Sequence, residues 1–399
     1  MRKKANRKHC FIIGSKGIPA RYGGLETFVE KLTQYKTSST IQYHIARMGT
    51  RDFQYEYNKA QCFNVSVLRM GPAKAVYYDL KALQWCIDYC RARPFIKKPV
   101  FYILACRIGP FIGWYKKQIR KLGGVLYVNP DGHEWMRRKW SLPVRKYWKV
   151  SERLMVRNAD LLICDNKNIE TYIQSTYKRY RPHTVYIAYG AELSPAILPD
   201  DDRRLMKWYK RGNLRKKKYY LVVARFVPEN SFDVVIREFM ASETKKDLAI
   251  ITTENHKFAG QLEKRLHYSR DKRIKFMGTV YDQELLKKIR ENAYAYLHGH
   301  SVGGTNPSLI EALASTDLNL LLNVRFNREV GENAALYWNR KQGNLSQLIN
   351  RTENMNEEEI KQLGKQARKR VAGHYTWEKI CREYEMLFLG GRQSGREYE

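Results

Sequence analysis

Short apolar runs recur along the chain, separated by stretches whose apolar residues repeat with a helical period. In the first half the runs are HCFIIG from His9, QYHIARM from Gln42, FNVSVLRM from Phe63, VFYILAC from Val100, GVLYVN from Gly124, DLLICD from Asp160 and TVYIAYG from Thr184. Their length and β-branched or aromatic content predict buried strands. Between the first two, Leu25, Phe28, Val29 and Leu32 recur at i, i+3, i+4 and i+7, the stripe of an amphipathic helix. A second alternation begins at Tyr219: YYLVVARF, DVVIREFM, LAIITTE, RIKFMGTV, ELLKKIREN, AYAYLHG, SLIEALAS and LNLLLNV. Strands alternating with helices predict parallel sheets covered on both faces, so the fold class is α/β.

Residues 191–218 interrupt the rhythm with Pro195, Pro199 and dense charge, which reads as an interdomain connection. The chain then divides into 1–195, a linker over 196–218, 219–375 and a last helical segment over 376–399. The tail from Asn356 to Leu389 reads as helix with a break near Gly373. A length of 399 residues suits two cores better than one. Two α/β halves of similar size imply a cleft between them, with ligands at the carboxyl ends of the strands.

Charge changes this picture most. The net charge is +33, and residues 1–190 hold 36 Lys and Arg against 12 Asp and Glu. A field concentrated in the first half attracts polyanions: nucleic acid, anionic headgroups or phosphorylated substrates. The seven cysteines are scattered and form no C-x-x-C pair, which points to free thiols and argues against a disulfide framework or a zinc site. No apolar run reaches the length of a membrane span, so any membrane contact is expected to be peripheral, on the cytoplasmic face.

Four loops after predicted strands carry candidate chemistry. Gly14 to Glu26 (GSKGIPARYGGLE) places Gly23 and Gly24 at a helix start beside Lys16 and Arg21, a phosphate cradle lacking both G-x-G-x-x-G and G-x-x-x-x-G-K-[ST]. The alternative is a glycine turn needed only for the corner. His298 to Ala314 (HGHSVGGTNPSLIEALA) places Gly303, Gly304 and Thr305 before Asn306, a natural N-cap, and Pro307. Glu311 one turn on is a candidate ribose acceptor or an ordinary first-turn acid. Tyr127 to Trp140 offers Asp131, His133 and Glu134 as bases or sugar-hydroxyl acceptors, and Arg137, Arg138 and Lys139 as phosphate contacts. Arg225 in VVARFVPEN emerges where a diphosphate can sit. Asp200 to Asp202 contain a D-x-D spacing, but in the connection they read as a solvated acidic turn. The basic MRKKANRK start has no recognition helix or base-stacking motif beside it, so no nucleic-acid partner is expected.

Together GSKGIPARYGGLETFVE, NPDGHEW, VARFVPEN and HGHSVGGTNPSLIEALA resemble the signature segments of glycosyltransferase family 4, in its dTDP-L-rhamnose-dependent branch. The resemblance implies a GT-B fold of two Rossmann-like domains, an acceptor domain first and a nucleotide-sugar domain second. It implies that the last helix crosses back to the first domain. The implied reaction is retaining and uses no metal or other cofactor. It moves rhamnose onto a polyprenyl-diphosphate-linked sugar in capsule or cell-wall polysaccharide synthesis, at the anionic inner face of the cell membrane. Glu311 matches the second glutamate of the family's E-x7-E motif, and Gly303 stands where the first belongs. Arg225 matches the diphosphate-binding arginine, and Asn230 stands where a lysine is usual. Asp131 is then the candidate for aligning the acceptor hydroxyl, ahead of Glu134 and His133. Two other readings stay open: the same fold with a UDP- or GDP-hexose, and a non-catalytic basic protein binding nucleic acid or lipid.

Overall fold

The first apolar run, Lys8–Ile13 (β1), is buried from Cys10 onward and becomes the middle of a sheet, because neither face carries a polar alternation. The structure, a computed structural model, describes residues 7–20, 23–67, 70–137 and 140–391. Around β1 assemble Ile41–Gly49 (β2), Phe53–Tyr57 (β3), Ala60–Ser66 (β4), Val100–Leu104 (β5), Val125–Asn129 (β6), Leu161–Cys164 (β7) and Thr184–Tyr186 (β8). Their order is β3-β4-β2-β1-β5-β6-β7-β8, parallel throughout except for the antiparallel edge pair β3–β4. The helices of this part are Gly24–Gln34 (α1), Lys74–Arg91 (α2), Gly109–Lys121 (α3), Leu142–Asn158 (α4) and Lys167–Thr176 (α5).

A second sheet orders Ile274–Gly278 (β11), Asp247–Ile251 (β10), Tyr219–Val223 (β9), Ala295–His298 (β12), Leu318–Leu322 (β13) and Leu336–Trp338 (β14), all parallel. Its helices are Arg203–Gly212 (α6), Phe232–Met240 (α7), His256–Leu266 (α8), Gln283–Glu291 (α9), Pro307–Ser315 (α10), Arg325–Gly331 (α11), Asn344–Glu353 (α12) and Glu357–His374 (α13). The strand order reverses between β9 and β12, and ligands of such sheets bind at the carboxyl ends beside that reversal.

The described residues form two compact units. One comprises residues up to Met136, Trp140–Tyr189 and the segment from Trp377; the other comprises Arg137 and Gly190–Thr376. The chain therefore returns to the first unit with its last helix, Trp377–Phe388 (α14). The buried stripe Ile380, Cys381, Tyr384 and Phe388 explains why α14 packs there. Tyr384 lies 5.0 Å from Phe28 of α1, and its hydroxyl is 3.1 Å from that of Tyr102 on β5. Glu385, nearly buried, accepts hydrogen bonds from the N–H and hydroxyl of Thr37 and from the N–H of Ser38.

Two expectations need correction. The stretch 196–218 is not merely a linker: α6 buries Leu205, Trp208 and Tyr209 against Leu221, Ile251 and Met277 of the second unit. Its i, i+3, i+4 stripe is narrow, and the lysines and arginines around it mask the amphipathicity. The run from Phe63 stops as a strand at Ser66. Among the described residues no helix is long and apolar enough to cross a membrane.

Candidate functional site

In the first unit the strands β1, β5 and β6 are neighbours, so the loops that leave their carboxyl ends meet. Gly14 follows β1 at φ +104, and a Cβ there would lie 2.3 Å from the Leu104 carbonyl oxygen. Only glycine fits that approach. In the same loop the N–H of Lys16 donates to Glu26 Oε1 at 2.7 Å, while the Lys16 side chain is exposed. Gly23, at φ +128, leaves room for Glu26: a Cβ would lie 1.9 Å from its Oε2. The sequence suggested space for a phosphate here, but a carboxylate of the chain itself occupies part of the cradle. Gly24 opens α1, whose N-terminus has no side-chain cap. Arg21 lies outside the described residues.

Composition gave no sign of Arg107, between β5 and α3. Its Nη1 donates to the Gly14 carbonyl at 2.8 Å and pairs with Asp79 Oδ2 at 3.0 Å. Asp79 is fully buried on α2, and its other oxygen has no partner. Burial pushes the Asp79 carboxyl up, and Arg107 opposes that push. Arg107 thus ties the first glycine loop to the sheet and carries a positive charge close enough to act on Asp131 and Glu134.

The loop after β6 folds through two left-handed residues, Asp131 at φ 56 and His133 at φ 50. Asn129 Oδ1 accepts the Asp131 N–H, and Asp131 Oδ1 accepts the Gly132 N–H, both at 2.8 Å. The His133 ring packs 4.2 Å from Tyr172, and burial lowers its pKa. Glu134 accepts the Trp140 indole N–H at 2.9 Å. Lys149 sits over Trp135 at 4.3 Å, and buried Glu152 accepts the Tyr172 hydroxyl at 2.6 Å, bracing the loop from below. His133 and Glu134 are therefore engaged within their own unit, whereas the Asp131 carboxylate is held by one short backbone bond. Arg138 and Lys139 lie outside the described residues.

In the second unit Asn306 caps α10: its Oδ1 accepts the Ser308 N–H at 2.9 Å, with Pro307 as first helical residue. Before it, Gly303 stands at φ +134 with open space where a Cβ would be, and Thr305 is buried. Gly304 completes the loop. This loop leans on the turn after β9. Ser301 donates its N–H and hydroxyl to the Glu229 carbonyl at 3.0 and 2.7 Å, and buried Asn327 donates to the His300 carbonyl at 3.1 Å. Asn230, standing where the resembled family has lysine, donates its amide to the Arg225 carbonyl at 2.7 Å. It holds the backbone that presents Arg225, which is exposed.

Glu311 is less free than its sequence position suggested. Its Oε2 pairs at 2.6 Å with Arg290 of α9, whose side chain is almost completely buried. Sequence spacing had no means of revealing that partner. Among the described residues no three His, Cys, Asp or Glu side chains gather as a metal-ligand group. Asp200 pairs with Lys216 and Lys288, and Asp202 caps α6, so the D-x-D spacing is used in surface ion pairs.

Residues 7–192 match the sequence profile of a domain of unknown function (DUF1972). No curated protein matches the chain. Among solved structures, the chain is similar to a sucrose-phosphate synthase from Thermosynechococcus elongatus, at TM-score 0.76 and 16% identity over 96% of this chain and 99% of that one. A glycosyltransferase from Rickettsia africae gives TM-score 0.72 at 12% identity, over 98% of this chain and 100% of the other. A structure described as trehalose-6-phosphate from E. coli, bound with UDP-2-fluoro glucose, gives TM-score 0.68 at 11% identity over 96% and 99%.

Proposed function

From the GT-B fold, two Rossmann-like units in one chain, we infer that the protein is a glycosyltransferase that uses a nucleotide sugar. The observation that carries this reading is the capped N-terminus of α10 behind the open Gly303 loop, leaning on the turn that presents Arg225. Backbone N–H groups at a positive helix end and one guanidinium suit the diphosphate of a departing nucleotide. Glu311, oriented by Arg290, leaves its second oxygen for a ribose hydroxyl.

The donor we propose is dTDP-L-rhamnose, supported by the resemblance of four loops to that branch. The acceptor is a sugar on a polyprenyl diphosphate, suited to the basic first unit. In the retaining step the bond between the sugar's anomeric carbon and the diphosphate oxygen breaks. The acceptor oxygen bonds to that carbon on the same face, and its proton passes to the departing phosphate oxygen. Asp131 orients the acceptor hydroxyl, and no step draws on a metal. A UDP-hexose donor is the second reading, favoured by the UDP-2-fluoro glucose of the E. coli neighbour.

The test is incubation of the purified full chain with dTDP-L-rhamnose, UDP-glucose and GDP-mannose, each with polyprenyl-diphosphate-linked glucose or N-acetylglucosamine. A product heavier by one deoxyhexose with the first donor supports the reading. A hexose increment from UDP-glucose moves it to the second, and no product with any pair overturns both.

A further inference from the structure

Resting on that reading, we propose that the stacked imidazoles of His298 and His300 form the subsite that recognises the hydroxyls of the donor's sugar. His298 ends β12, and His300 follows it within the loop that leads to α10. Their rings stack 4.3 Å apart at 16°. His298 is 1% exposed, and neither of its ring nitrogens has a hydrogen-bond partner. A buried imidazole with two unmet nitrogens costs stability, so a purely structural residue at this place would be apolar. His300 is the partly exposed member of the pair. Its backbone is fixed by Asn327, and a Cβ on the intervening Gly299 would lie 2.4 Å from the Asn230 carbonyl oxygen, so the loop carrying both rings is tightly seated.

The chemistry of the pair selects the ligand class. Burial pushes the His298 pKa down to about 3, and burial, His298 and Arg225 lower that of His300. Both rings are then neutral, each with one N–H donor and one nitrogen acceptor. A hydroxyl is also donor and acceptor and matches such a ring, whereas a phosphate accepts only. Phosphate is better served by Arg225 and the N–H groups ahead of α10. Gly303 itself offers no side chain, so within 298–303 the two imidazoles supply ring nitrogens that can accept from a sugar hydroxyl.

The experiment is calorimetric titration of full-length wild type, His298→Phe, His300→Leu and His300→Gln with each nucleotide sugar of the panel and with the matching free nucleoside diphosphate. His298→Phe keeps the stack, and it is expected to raise the melting temperature while weakening nucleotide-sugar binding about tenfold, the loss of one hydrogen-bonded partner. His300→Leu is expected to show the same loss. His300→Gln, with its own donor and acceptor, should recover most of the affinity, and free nucleotide should bind all four proteins alike. Equal loss toward nucleotide and nucleotide sugar, or no loss toward either, overturns the subsite while leaving the transferase reading intact. Nucleotide sugar that fails to bind wild type overturns both.

Discussion

Glu311 and Arg290 illustrate how a residue chosen for chemistry is also held by packing. Glu311→Ala removes the partner of a buried guanidinium and is expected to destabilise the protein by about 3 kcal/mol or more. Glu311→Gln keeps an acceptor and should lose less. Thermal unfolding of the two variants checks this, and an unchanged melting temperature for the alanine variant would show that Arg290 does not depend on the pair. Buried histidines give a second prediction. Burial pushes His44 and His298 to about 3, far below their unfolded value near 6.5. The unfolded chain therefore takes up protons first, so stability is full above pH 6.5 and falls as pH drops toward 3. Each contributes a slope of about 1.4 kcal/mol per pH unit. Melting temperatures between pH 7.5 and 5 should fall accordingly, and more shallowly in His44→Phe; a flat profile would mean that the folded protein takes up these protons as readily as the unfolded chain.

At the scale of elements, the strands were legible wherever the sheet buries both faces, as in VFYIL, whose five residues are all buried in β5. The edge strand β3 has only exposed and half-buried positions and no such run. The helix α6 is masked in the sequence because its three buried apolar residues, Leu205, Trp208 and Tyr209, stand among five lysines and arginines. Asn306 and Pro307 announced the start of α10 correctly, since a cap is a local device that needs no tertiary partner. Arg107 and Arg290 were illegible for the opposite reason: each is given meaning by an acid on another helix, Asp79 on α2 and Glu311 on α10. The same dependence makes α14 testable. Glu385→Ala leaves the Thr37 and Ser38 N–H groups without their acceptor and should cost about 1–3 kcal/mol. Limited proteolysis should then cut near α14 sooner than in wild type; an unchanged pattern would show that the Tyr384 and Phe388 contacts suffice.

Across the whole molecule, charge and fold point in one direction. The first 190 residues carry the larger excess of Lys and Arg, and Phe95, Phe111 and Trp114 are exposed on the same unit. Full-length protein should sediment with anionic vesicles more than with neutral ones, and rising salt should release most of it, because the attraction is screened over about 8 Å at physiological ionic strength. Equal binding to both vesicle types would remove the membrane from the account. On the proposed function a sugar is transferred with the diphosphate held by protein groups and the acceptor aligned by Asp131. This reading is tested most directly by following transfer from dTDP-L-rhamnose to a polyprenyl-diphosphate-linked sugar in excess chelator, for wild type and Asp131→Asn. Wild type should transfer at its full rate, and the variant should bind donor normally yet lose at least about a hundredfold in rate. Wild-type activity abolished by chelator and restored by magnesium, or a variant as active as wild type, would contradict it.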